Sequence, residues 1–314
     1  MISAQKTVYQ KKPLARRLHA DLKKNGCLYL MLIPIIAFFL IFHYYPMYGA
    51  QIAFRNFRPA LGIQGSPWMG LKHFISFFNG RYFSRVVGNT LSISLKNLLF
   101  GFPAPILLAL MINEVRNNTY KRCVQTISYL PHFVSQVVMC GLLFEFCSYT
   151  GLFNDVRALF GLEPILFLQQ PEMFQTIYVA SDIWQGVGWG SIIYLSALTS
   201  IDQEQYESAK LDGAGRLKQI WYITLPNLLP TIMIMLILRI GQMMNIGSEK
   251  VLLLYNPLTY EKADVISTFV YRKGILEASY SFSAAVGLFN SVINFLLLVT
   301  VNFISRKTTE SSLW

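Results

Sequence analysis

The chain has 314 residues, of which 54% are apolar and only 14% charged, and its mean hydropathy is +0.41. A soluble chain of this length divides into about two domains and carries roughly 25% charged residues to cover them. The composition therefore excludes a soluble, disordered, collagen-like or disulfide-framed protein and points to the membrane.

The formal net charge of +11 is accounted for by where the charges sit, without a nucleic-acid partner. Residues 1–27 form a basic tail with Lys6, Lys11, Lys12, Arg16, Arg17, Lys23 and Lys24. A run of about 20 apolar residues can cross a bilayer, and six such runs follow: 28–48, 86–112, 123–149, 174–198, 228–247 and 280–305. The first has the basic approach of a secretory signal. It is too long for one, and no small-residue cleavage site follows His43-Tyr44-Tyr45-Pro46, so it reads as an uncleaved anchor.

The connections set the orientation. Segments 1–27, 113–122, 199–227 and 306–314 hold 15 Lys and Arg, against 9 in segments 49–84, 150–173 and 248–279. The positive-inside rule places the first set, and with it both termini, in the cytoplasm. His43, Tyr44, Tyr45 and Tyr48 end the first run as an interfacial aromatic belt would. In the extracytoplasmic segment 49–85, residues 68–78 read either as an interfacial amphipathic helix or as an ordered loop.

The four cysteines, Cys27, Cys123, Cys140 and Cys147, form no C-x-x-C pair, and the four histidines are dispersed, so no metal site is expected. No nucleophile and base are brought together by spacing. No G-x-x-x-x-G-K-[ST] phosphate loop occurs either.

The connection 200–227 carries the most information. Asp202 or Ser200 can cap a helix over about 203–211, and Asp212-Gly213 marks its end because glycine accepts a left-handed C-cap. A second helix over about 215–224, stopped by Pro226, would complete a helix–turn–helix elbow. By shape alone this is equally a connector lying on lipid head groups. Its spelling is more specific: Glu207-Ser208-Ala209-Lys210-Leu211-Asp212-Gly213-Ala214, then Leu225-Pro226 and Pro230. This resembles the E-A-A-x-x-x-G loop of ABC importer permeases, with Ser208 where alanine is usual.

Further phrases extend the resemblance over most of the chain, among them Asn89-Thr90-Leu91, Tyr129-Leu130-Pro131-His132-Phe133 and Leu254-Tyr255-Asn256-Pro257-Leu258. Together they are similar to the carbohydrate branch that includes alginate and pectin-fragment importers. The resemblance implies an all-α type I importer permease fold in the bacterial cytoplasmic membrane. It also implies a second homologous permease, two copies of an ABC ATPase that hold ATP and Mg, an extracytoplasmic solute-binding protein and an oligosaccharide cargo. No cofactor is expected in this chain, and the chain is not expected to be an enzyme. Glu207, Ser208, Ala209, Asp212, Gly213 and Ala214 are the expected ATPase-coupling residues. The domain reading is a tail at 1–27, an anchor at 28–48, an external segment at 49–85, a five-helix core at 86–305 and a tail at 306–314.

Charges inside a span are rare, and usually functional or paired. Lys96, Glu145, Asp182 and Arg239 lie roughly 5–15 Å deep by helical rise, and two of each sign suggest mutual pairing as a structural network. The alternative is a polar translocation path. Asp182, Gln185 and Trp189 share a helical face, as do Arg239, Gln242 and Asn245, and as do Ser283, Gly287, Asn290 and Asn294. Amides can hydrogen-bond sugar hydroxyls, and Arg239 can hold a carboxylate in bidentate fashion. The rival readings are an ion-coupled secondary carrier, whose binding helices usually come as related repeats, and a membrane-embedded lipid or polysaccharide enzyme.

Overall fold

The computed structural model describes residues 14–309, with side chains from 23 to 307. The tails at 1–27 and 306–314 therefore lie partly outside the described residues. Every regular element is helical; beyond helices, the described residues contain two isolated bridges, Arg55 with Trp68 and Arg58 with Gly62.

Four helical stretches are long and apolar enough to cross a bilayer: Lys23–Phe54, Phe83–Glu114, Arg216–Gly241 and Tyr280–Lys307. The first continues helix α1 (Leu14–Phe39) and is exposed along its apolar window. The second joins α2 (Phe83–Lys96) to α3 (Pro103–Glu114).

The run expected at 123–149 is not one straight span. Helix α4 (Asn118–Tyr129) tightens into a 3-10 turn at Leu130–Phe133, and α5 (Gln136–Phe146) leaves at 101°. Pro131 lacks the N–H that would continue the ladder, and its ring meets the carbonyl four residues back. Val134 and Ser135 are extended, and Ser135 Oγ restarts the helix by accepting from the Val138 N–H at 3.4 Å. A short helix α6 (Leu152–Leu159) precedes α7 (Pro171–Thr199). With 29 residues, α7 is about 43 Å long and can span. It carries Glu172, Gln175, Asp182 and Gln185, and it is not among the four most apolar stretches.

Three apolar helices pass through a proline by one device. π-turns at Leu40–Tyr44, Asn97–Gly101 and Ile220–Thr224 end two residues before Pro46, Pro103 and Pro226. The wider turn changes the i→i−4 register where the proline ring would otherwise collide. The expectation that Pro226 stops the elbow's second helix is thereby corrected. Helix α9 (Arg216–Gln219) runs through the π-turn into α10 (Leu225–Gly241) as one continuous span.

That span ends at Gly241, not at 247. Tight turns over 242–245 lead into α11 (Ser248–Leu254), so Asn245 is not on a common helical face with Arg239 and Gln242 as the spacing predicted. The segment after α11 then folds into short helices, including Tyr260–Ala263 and α12 (Ile266–Tyr271), before α13 (Tyr280–Thr309). In the segment 49–85, Lys72–Phe78 is helical, and its Phe77 is buried against Val86, Phe269 and Val286.

Two further core clusters organise the bundle. Met139, Cys140 and Leu143 of α5 pack with Phe174, Tyr178 and Val179 of α7 and with Val251 and Leu254 of α11. Ile106, Ala109 and Ile112 of α3 pack with Tyr194, Leu195 and Leu198 of α7 and with Leu228 of α10. Helix α7 is therefore the mast on which both ends of the core are assembled.

Candidate functional site

The elbow between α7 and α10 is built by local hydrogen bonding. The Asp202 carboxylate accepts from the Glu204 N–H at 3.0 Å and starts α8 (Gln203–Leu211). At the other end the Ala214 N–H reaches the Ala209 carbonyl at 2.8 Å, and the Gly213 N–H reaches the Lys210 carbonyl at 3.1 Å. These are the two bonds of a Schellman motif, with Gly213 at φ +75° in the left-handed position. The E-x-A-x-x-x-G spacing is therefore the spacing of a helix end.

Gln219 Nε2 donates to the Ala214 carbonyl at 2.8 Å and closes the turn. The Tyr206 hydroxyl lies 3.0 Å from Thr224 Oγ1, and Asn227 Nδ2 donates to Gln205 Oε1 at 3.0 Å, tying α8 to the start of α10. Glu207, Ser208, Asp212 and Gly213 are exposed, while Ala209 and Ala214 are half-buried. Beside them Leu211 is 90% and Tyr222 80% exposed, so the elbow carries an apolar outer surface.

Away from the elbow, two adjoining cavities of about 310 and 510 Å³ share Asn97, Gln136, Asp182 and Arg239 on their walls. Asp182 accepts from Asn97 Nδ2 at 2.7 Å and lies 3.5 Å from Lys250 Nζ. Lys250 is 1% exposed, donates to the Tyr178 carbonyl at 3.1 Å and sits over the Tyr178 ring. Burial holds its ammonium below the ordinary lysine value, against the pull of Asp182. Arg239 is exposed to both cavities and makes no ion pair among the described residues.

The expected pairing among Lys96, Glu145, Asp182 and Arg239 does not form. Asp182 takes Lys250 instead, Lys96 donates to Gln175 Oε1 at 2.8 Å, and Glu145 is exposed away from both cavities. The reason is geometric: the bend in the third run carries α5 out of line, and the loop beyond α10 delivers a closer cation than any span does.

The other path candidates are divided. Gln242 and Asn245 line the first cavity, and Gln185 lines the second while donating to the Val134 carbonyl at 3.0 Å. Trp189 is stacked on His132 with centroids 4.7 Å apart. Asn290 and Asn294 each donate to Asn245 Oδ1 at 2.9 Å, and Asn294 also accepts from the Met244 N–H. Asn294 is therefore a brace that holds the turn beyond α10. Sequence reasoning missed Lys250, Asn97 and Gln136. Lys250 lay in a loop of mixed charge, and Asn97 and Gln136 gave no periodic signal. Among the described residues no three His, Cys, Asp or Glu side chains are grouped to hold a metal.

The comparisons with known proteins decide the family. The family described as "Binding-protein-dependent transport system inner membrane component" matches residues 101–310. The chain belongs to that family. It is 45% identical over 296 residues to Protein LplB of Bacillus subtilis (strain 168), covering 94% of this chain and 93% of the relative. It is 43% identical over 305 residues to the polygalacturonan/rhamnogalacturonan transport system permease protein YteP of the same strain, covering 97% and 95%.

Among solved structures, it superimposes on a chain of a bacterial ABC transporter involved in the import of the acidic polysaccharide alginate. The TM-score is 0.87 at 46% identity, over 93% of this chain and 99% of that one. A bacterial alginate ABC transporter in complex with an alginate pentasaccharide-bound periplasmic protein matches at TM-score 0.88 and 45% identity, over 95% and 100%. This binding-protein-dependent permease is thus a multi-pass component of the bacterial cytoplasmic membrane with the type I ABC permease fold. It is a transport subunit and not an enzyme; ATP hydrolysis belongs to separate subunits in these systems.

Proposed function

We propose that the chain is one of two homologous permeases that together import an acidic, polysaccharide-derived oligosaccharide. In this reading it crosses the membrane six times, with α7 and the bent α4–α5 pair completing the count, and both termini are cytoplasmic. An extracytoplasmic solute-binding protein delivers the cargo. Two ATPase subunits, which hold ATP and Mg, grip the elbow through Glu207, Ser208, Ala209, Asp212, Gly213 and Ala214. Because α8 is tied to α10 by Tyr206–Thr224 and Gln205–Asn227, ATPase closure moves the elbow and α10 as one lever.

The observation that carries the substrate class is Arg239. It presents a guanidinium with no ion pair among the described residues where the two cavities meet, beside amides from Asn97, Gln136 and Gln242. A guanidinium fits a uronate carboxylate in bidentate fashion, and amides fit the hydroxyls. The names of YteP and of the alginate transporter support an acidic cargo. Uptake of uronate and neutral oligosaccharides by an Arg239→Gln transporter tests this. The expected result is a selective loss of uronate uptake; equal loss of both would remove Arg239 from selectivity.

A further inference from the structure

A separate recess of about 330 Å³ opens between α2 and the Pro171 end of α7, lined by Asn89, Ser92, Lys96, Glu172, Gln175 and Lys262 among others. Gln175, 5% exposed, organises it. Its Oε1 accepts from Lys96 Nζ at 2.8 Å and from Ser92 Oγ at 2.7 Å, and its Nε2 donates to the Lys262 carbonyl at 3.1 Å. Gln175 Oε1 is thereby saturated, yet the Lys96 ammonium has three donors and no carboxylate partner among the described residues. Lys262 lies 3.7 Å from Glu172, an exposed pair that contributes little. Two ammoniums against one carboxylate leave the recess with a net positive charge.

Its depth points to what neutralises that charge. Helix α7, with 29 residues, is about 43 Å long, against a hydrocarbon core of about 30 Å. Centred in the bilayer it overhangs by about four residues at each end, which puts Gln175 at the boundary between hydrocarbon and head groups. Leu91 and Leu95 of α2 and Leu99 of the π-turn that follows it are exposed on the same helical stretch. Gly88 forms part of the lining and leaves open space in front of it.

We propose that this recess binds the phosphodiester of an anionic phospholipid, with Lys96 at its base and Lys262 at its rim. A lysine left within a span with only a neutral amide partner is costly, and a phosphodiester at this depth supplies the missing anion. A carboxylate from the second permease is the competing neutraliser. The cross-linking arm of the experiment separates that source of negative charge from lipid.

The assembled transporter, purified in mild detergent, is incubated with equal amounts of phosphatidylglycerol and phosphatidylcholine, and the retained lipid is quantified by mass spectrometry. The wild type is expected to retain phosphatidylglycerol in preference by about five-fold. Lys96→Gln should abolish the preference, Lys96→Arg should keep it, and Lys72→Gln on the outer surface should leave it unchanged. If Lys96→Gln does not assemble, Lys262→Gln at the exposed rim gives the reading, with a fall to about two-fold expected. The proposal is overturned by an unchanged preference in the lysine-to-glutamine variants, or by displacement of the lipid with millimolar inorganic phosphate. A carbodiimide cross-link from Lys96 to a carboxylate of the second permease would overturn it too.

Discussion

The Lys250 ammonium lies 3.5 Å from the Asp182 carboxylate, joining the loop beyond α10 to the middle of α7 in the wall of the cavity of about 310 Å³. The two partners are unequally placed: Lys250 is 1% exposed and the Asp182 side chain 35%. Removing the carboxylate strands a buried cation, whereas removing the lysine leaves Asp182 with Asn97 and water. Asp182→Asn should therefore destabilise the purified transporter by about 2 kcal/mol, and Lys250→Met by clearly less. Thermal melting in detergent compares the two, and an equal or inverted order would contradict the pairing.

Gly213 gives a sharper test of the elbow. Nothing lies within 4 Å of a Cβ added there, so Gly213→Ala meets only the left-handed backbone penalty of about 1 kcal/mol. Gly213→Pro cannot adopt φ +75° and loses the N–H bond to the Lys210 carbonyl. Insertion and assembly should survive in both variants. Cargo-stimulated ATP hydrolysis should fall modestly in the alanine variant and be uncoupled from uptake in the proline variant. Normal coupled uptake by Gly213→Pro would sink the coupling role.

Gly188 marks a close crossing of α4 and α7. A Cβ there would collide with the backbone carbonyl of Ser128, so α4 and α7 would have to separate. Gly188→Ala should cost at least about 2 kcal/mol by overpacking. Two residues earlier, a Cβ on Gly186 meets nothing within 4 Å, so Gly186→Ala should be tolerated. Size-exclusion profiles of the two variants separate them; a well-behaved Gly188→Ala protein would show that the crossing is not tight.

Asp264, with no exposed surface, accepts from Arg85 at 2.9 Å, Arg272 at 2.7 Å and Thr268 Oγ1 at 2.9 Å. This knot, with Asn89 donating to the Asp264 carbonyl at 3.0 Å, ties α2 to the short helices between α11 and α13. Asp264→Asn leaves two facing guanidiniums without their anion and should cost about 3–5 kcal/mol. Replacing Arg85 alone with methionine should cost less, because Arg272 still pairs with the carboxylate. Melting temperatures of the two variants in the same detergent give the comparison.

The elbow was legible in the sequence because its determinants are local. The Asp202 cap, the α8 bounds and the Gly213 C-cap follow from side chains and backbone within a few residues of one another. The second half was misread at Pro226 for the same reason: a local rule says that proline stops a helix, and a π-turn at Ile220–Thr224 evades it. The cavity was legible only in part. Asp182 and Arg239 stood out as charges in apolar runs, and both line it. Asn245, however, reached it through a turn that no helical periodicity encodes.

Hydropathy and motif spacing thus determined that the chain is a helical membrane protein with a glycine-capped elbow, since apolar run length and cap chemistry are written along the backbone. The tertiary structure decided which charges meet. Asp182 lies 68 residues from Lys250, and Asp264 lies 179 from Arg85. Coulomb energy depends on distance in space, and the turn after Gly241, which returns α11 against α7, sets that distance for Lys250 independently of position along the chain.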